Sequence, residues 1–137
     1  MLWLDFETRS ACDLTTRGSY NYAQDASTEI LCMSYAFNDD DVVTWRPGQP
    51  FPVGIDDHIR RGGHIRAHNA AFERLIFWYV LCPTWGVTEP AVEQFYCTAA
   101  QARANCAPGG LEDVGRFAGA SMRKDHRGAQ LIRLLSI

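Results

Sequence analysis

Four apolar residues, Met1-Leu2-Trp3-Leu4, run straight into Asp5, and Phe6 separates that acid from Glu7. Such a run predicts a strand buried on both faces that surfaces at its carboxyl end. Residues 9–28 are polar, with scattered Gly18, Tyr20 and Tyr22, and read as a structured connection. Residues 30–37 are mostly apolar and predict a second strand. Asn38-Asp39-Asp40-Asp41 is a turn, and Val42-Val43-Thr44-Trp45 returns as its hairpin partner. The three turn aspartates lack the ligand alternation and closing Glu of a calcium loop, so they read as a solvated turn. Pro47, Pro50 and Pro52 mark a surface loop. A short helix around Ile55 and Ile59 then ends at Gly62-Gly63, and His64-Ile65-Arg66-Ala67 predicts a short strand.

The strongest helical pattern follows. Phe72, Leu75, Ile76, Tyr79 and Val80 recur at helical spacing as one apolar stripe, with Asn69 at the N-cap position and Pro83 past the end. Phe95-Tyr96-Cys97 predicts a strand and residues 98–103 a short helix. After Pro108-Gly109-Gly110 comes a helix with Leu111, Val114 and Phe117 turned inward and Gly119 at its end. Residues 123–128 read as a basic loop, and residues 131–135 as a short apolar turn. This order of elements implies an α/β fold, a mixed sheet flanked by helices.

At 137 residues the chain is one domain, and 47% hydrophobic with 21% charged residues make it globular. No apolar stretch is long enough to span a bilayer, and the N-terminus lacks the basic start of a signal peptide, so no membrane partner is expected. Five cysteines without a C-x-x-C pair read as free thiols in a reducing cytoplasm. A net charge of −3 argues against a simple phosphate-neutralising binder. Its distribution says more: residues 1–57 carry −7 and residues 58–137 carry +4. The plain reading is a dipolar surface; the sharper one is an acidic, metal-loading half beside a basic, strand-holding half.

Strand geometry points Asp5 and Glu7 to the same side, roughly 6.6 Å apart along the backbone. Two acids at the edge of a dry core repel unless a proton or a divalent cation intervenes, which suggests a magnesium or manganese site. For Asn69 and Glu73 the plainer reading is helix capping, and the functional alternative brings Glu73 into the same space as Asp5 and Glu7. His68 is a candidate ligand or base, set against the commoner structural or solvent-exposed histidine. Two-metal phosphoryl hydrolysis needs several carboxylates holding cations roughly 3.5–4 Å apart, and these three acids would form most of that cage.

The stretch Leu4-Asp5-Phe6-Glu7-Thr8-Arg9-Ser10 resembles the first motif of the 3′–5′ exonucleases that use four acids as metal ligands. Ala67-His68-Asn69-Ala70-Ala71-Phe72-Glu73-Arg74 resembles their second motif. The match is to the proofreading domain of phage and prophage family A DNA polymerases. There a Gly-x-Tyr-x-Tyr-Ala stretch, like residues 18–23, lies between the motifs, and a Leu-Ile-Arg stretch, like residues 131–133, follows the later helices. The resemblance covers nearly the whole chain. It implies a ribonuclease-H-like fold with a five-stranded mixed sheet, and two divalent cations, Mg2+ or Mn2+, held by Asp5, Glu7 and Glu73 as catalytic acids. It further implies that Thr8 and Asn69 lie near the terminal nucleotide, and that Phe72 packs within the motif. The implied substrate is the 3′ end of single-stranded DNA, the implied partner a polymerase domain or subunit, and the implied location the cytoplasm of a bacterial host cell.

The chain departs from that pattern in three places. Glu73 stands where Asp is common, Cys97-Thr98 where Asp-Thr is common, and the third motif, a Tyr or His followed by Asp on a late helix, is missing. Asp113 and Asp125 are the only late aspartates, and neither has the required Tyr or His before it. The expectation is therefore an exonuclease-like domain over residues 1–137, truncated at the C-terminal end and without a polymerase domain. The competing expectation is a non-catalytic nucleic-acid-binding or scaffold module. A third is an RNA-degrading relative of the same fold.

Overall fold

A computed structural model of the protein describes residues 1–122. The basic loop and the apolar turn expected after residue 122 lie outside the described residues. Five strands form one mixed sheet: β1 (Leu2–Arg9), β2 (Glu29–Phe37), β3 (Val43–Trp45), β4 (Ile65–Ala67) and β5 (Phe95–Cys97). Their spatial order is β3-β2-β1-β4-β5. The β1–β2 and β2–β3 pairs are antiparallel; β1–β4 and β4–β5 are parallel. This is an α/β fold with the mixed five-stranded sheet that the motifs implied, and its strand order is consistent with a ribonuclease-H-like fold.

β1 is central, as its apolar start suggested, but it is not buried on both faces. Leu2, Leu4 and Phe6 are buried, whereas Trp3, Asp5 and Glu7 are exposed among the described residues. Strand alternation decides this: the even positions enter the core and the odd positions share the opposite face. Burying Leu2, Leu4 and Phe6 contributes roughly 1.5–3 kcal/mol each.

Helix α1 (Leu14–Gln24) replaces the expected connection between β1 and β2. Only Tyr22 and Ala23 of its eleven residues are buried, so it leaves no apolar stripe in the sequence. Asp13 caps it by accepting from the Thr15 amide at 2.9 Å. At Gly18 the backbone leaves the helix (φ 76°, ψ 162°), a conformation essentially confined to glycine, and the element is two helical pieces joined there. Helix α2 (Val53–Arg60) forms as expected and buries Ile55 and Ile59.

Helix α3 (Ala70–Ile76) runs on through a wide, π-type turn (Phe77–Leu81) into α4 (Cys82–Trp85). The helical path therefore continues past Pro83 rather than stopping before it. The wide turn shifts the bonding, so that the Cys82 amide reaches the Phe77 carbonyl, one residue further back than in an α-helix. The buried face is Ala70, Glu73, Ile76, Phe77, Val80 and Leu81, rotated from the expected stripe; Phe72 and Leu75 are half-buried and Tyr79 is exposed. Phe77 is fully buried and links the sheet, its ring edge-on to Phe6 at 5.4 Å and to Phe95 at 5.9 Å. Helices α5 (Thr98–Ala104) and α6 (Leu111–Phe117) follow β5. Gly119 has φ 74° just past α6, as a helix-terminating glycine should. The expected inward face of α6 is not buried: Leu111 is 62% and Phe117 70% exposed. Val114, the third residue of that face, is half-buried. No described helix is long and apolar enough to cross a membrane.

Candidate functional site

The site begins where β1 leaves the core. On its outer face Asp5 lies opposite Ser34 and Glu7 opposite Cys32 in the antiparallel register with β2. Between Glu7 and Thr8 the register slips, and β2 carries an extra residue, Leu31. Bulges of this kind occur beside active sites because they re-aim side chains.

Glu73 comes from the first turn of α3 and is only 3% exposed. Its Oε2 is buried and has no hydrogen-bond partner. Burial pushes its carboxyl up to about 8; a bond from its own amide opposes the shift, and the negative charge of Asp5 adds to it. Asp5 is exposed as a residue, but its carboxyl is partly shielded from water against the sheet, which raises it, and the nearby His68 partly offsets that. The two acids thus sense each other across the strand–helix junction. Glu7 raises the Cys32 thiol, after burial, which places that half-buried sulfur beside the acids. Cys32 was not legible as a neighbour, because only the strand register brings it opposite Glu7.

Asn69 occupies the N-cap position of α3, but its side chain makes no capping bond. It is exposed and left-handed (φ 68°, ψ 47°), a conformation Asn tolerates better than most residues. The capping interpretation of Asn69 is therefore set aside. His68 is a structural pin. Its Nε2 donates to the Gly109 carbonyl at 2.9 Å, and its Nδ1 lies 3.0 Å from the Thr98 hydroxyl. Both ring nitrogens are engaged, tying β4 to the starts of α5 and α6. Thr8 is half-buried and its hydroxyl lies 2.9 Å from the Tyr22 phenol. Tyr22 belongs to the Gly-x-Tyr-x-Tyr-Ala stretch between the two acid motifs, and its link to Thr8 needs the tertiary fold.

A groove of ≈ 310 Å³ opens along the outer sheet face, lined in part by Trp3, Asp5, Ser34, Arg66, His68 and Leu111. The Arg66 guanidinium stacks over Trp3 at 5.3 Å from the ring centre, and its buried Nε has no partner. Acid, cation and aromatic thus line one trough.

Among the described residues no three His, Cys, Asp or Glu side chains are gathered into a metal-binding cluster. The donors nonetheless fit a hard divalent cation. Carboxylate oxygens are its preferred ligands, and the buried Glu73 carboxylate, with its Oε2 left without a partner, is a group that such a charge would relieve.

No family model matches the chain. It is 34% identical over 143 residues to a DNA polymerase of Bacillus phage SP02. The similarity covers 99% of this chain and 21% of that protein, so the chain spans about a fifth of its relative's length. The chain is thus a distant homologue of part of a phage DNA polymerase.

Proposed function

We propose that this chain is a metal-dependent 3′–5′ exonuclease domain, a proofreading part of a phage-like DNA polymerase, acting on single-stranded DNA 3′ ends. The observation that carries this reading is the buried Glu73 carboxylate, whose Oε2 has no hydrogen-bond partner and whose charge interacts with that of Asp5, an acid lining the groove. Asp5, Glu7 and Glu73 would hold two divalent cations, Mg2+ or Mn2+, which when bound supply an activated water and neutralise charge on the scissile phosphate. Asp5 and Glu7 approach from the outer face of β1, and Glu73 from the start of α3. Burial around Glu73 excludes water and strengthens each charge interaction made there. Thr8 and Asn69 bind and orient the terminal nucleotide, Asn69 with a carboxamide that no cap bond engages. Homology to a phage DNA polymerase supports DNA as substrate.

The test is shortening of a 3′-terminal single-stranded oligonucleotide, labelled at its 5′ end, in the presence of Mn2+. Asp5→Ala is expected to reduce the rate at least 100-fold, on the order of the loss from removing one charge-stabilising group. Cleavage unchanged by Asp5→Ala would exclude this site.

A second reading, a non-catalytic nucleic-acid-binding or scaffold module, is favoured by one observation. Among the described residues, no late acid joins Asp5, Glu7 and Glu73, and no three-ligand cluster is assembled. Oligonucleotide binding that persists without any cleavage, at every Mn2+ concentration, selects that reading.

A further inference from the structure

We propose that Tyr22 is a positioning residue, which locks the acid-bearing end of β1 to the acid-bearing turn of α3. The inference rests on the proposed cation site, and it assigns a role to a residue outside both acid motifs. Tyr22 is 5% exposed and is held at three points. Its phenol oxygen lies 2.9 Å from the Thr8 hydroxyl, immediately after Glu7. Its ring packs at 5.9 Å from Phe72, immediately before Glu73. Its carbonyl accepts from the Thr28 hydroxyl at 2.5 Å, and Thr28 is in turn 2.8 Å from Ser10 Oγ, just past the end of β1. Ser10 and Thr28 are themselves buried, so this hydroxyl chain is not a surface accident.

The strand end needs such an anchor. Pairing with β2 holds through Glu7 and Cys32 and slips immediately after them, so the regular ladder ends at the site acid and something else must fix the strand beyond it. α1 packs against α3, and its Tyr22 reaches Thr8 just past the slip as well as Phe72 on α3. Packing alone would be served by phenylalanine, which fills the same space. A buried phenol instead requires a partner for its hydroxyl, and here that partner is the residue next to a site acid. Tyr22 thus acts through Thr8 and Phe72, touching neither substrate nor cation.

The test is calorimetric titration of the full chain with Mn2+ alone. Tyr22→Phe is expected to weaken Mn2+ binding about tenfold, as loss of a supporting hydrogen bond around a metal site does. Its far-UV circular dichroism should match that of the unaltered chain. Thr8→Val removes the same bond from the other side and should give the same loss, with the double variant no weaker than either single one. Thr8→Val also supplies the answer if Tyr22→Phe does not fold. Tyr20→Phe is the control, because its hydroxyl is exposed and only 3.5 Å from Tyr79. Mn2+ affinity unchanged in both Tyr22→Phe and Thr8→Val, with Glu73→Gln abolishing binding, overturns the role of Tyr22 and leaves the cation site standing. No Mn2+ binding by the unaltered chain, or binding untouched by Glu73→Gln, overturns the site and the inference together.

Discussion

Glu73 carries the proposed chemistry, and its burial has a measurable cost. Its folded-state value of about 8 lies above the ordinary 4.5, so the folded protein holds a proton there that the unfolded chain releases. The favourable contribution is complete below about pH 4.5 and is lost as pH rises through about 8, at roughly 1.4 kcal/mol per pH unit. Asp5 shifts in the same direction and adds to the trend. In metal-free buffer the melting temperature should fall between pH 5 and pH 8, and Glu73→Gln should flatten that fall. Parallel melting curves for the two proteins would show that Glu73 is not held as described. At pH 8, Mn2+ should raise the melting temperature of the unaltered chain but not that of Glu73→Gln, because binding to the folded state alone stabilises it. Thermal denaturation with and without Mn2+ measures both effects.

At the scale of elements, the departures from expectation share one cause: periodicity reports only the faces that are buried. β1 read as doubly buried because Trp3 is apolar, yet Trp3 is 38% exposed on the groove side. α1 left no stripe because its main inward contribution is Tyr22 and Ala23. The α3 stripe was rotated because a buried acid, Glu73, occupies the inner face where an apolar residue would be expected. The break within α1 makes a further prediction. At Gly18 the backbone lies where a Cβ is not accommodated, although no neighbouring atom crowds it. Gly18→Ala should therefore destabilise the protein by about 1–3 kcal/mol through backbone strain alone. Urea unfolding measures this; a loss below a few tenths of a kcal/mol would mean that the two helical pieces are not joined as described.

The whole molecule is asymmetric about its sheet. One face carries the core, in which Phe77 joins β1 to β5 through Phe6 and Phe95. The other face carries the groove, with Trp3, Arg66 and Leu111 along it. Phe77→Ala should cost about 3–5 kcal/mol, the range for deleting a fully buried aromatic. Trp3→Ala should cost clearly less, since its ring is part-exposed and leaves no closed cavity. Paired denaturant titrations decide it, and equal losses would contradict the open outer face.

Much of this protein was legible before any fold. The apolar start of β1, the hairpin, the helix after Asn69 and the glycine ends follow from local spacing and backbone preference. The likeness of the two acid motifs to known exonucleases is also carried by contiguous residues. What local sequence did not contain is distance between separate segments. Strand register put Cys32 beside Glu7, a slipped ladder handed Thr8 to Tyr22, and helix packing buried Glu73 within electrostatic reach of Asp5. Each depends on how segments far apart in the chain meet, so only the tertiary structure could decide them.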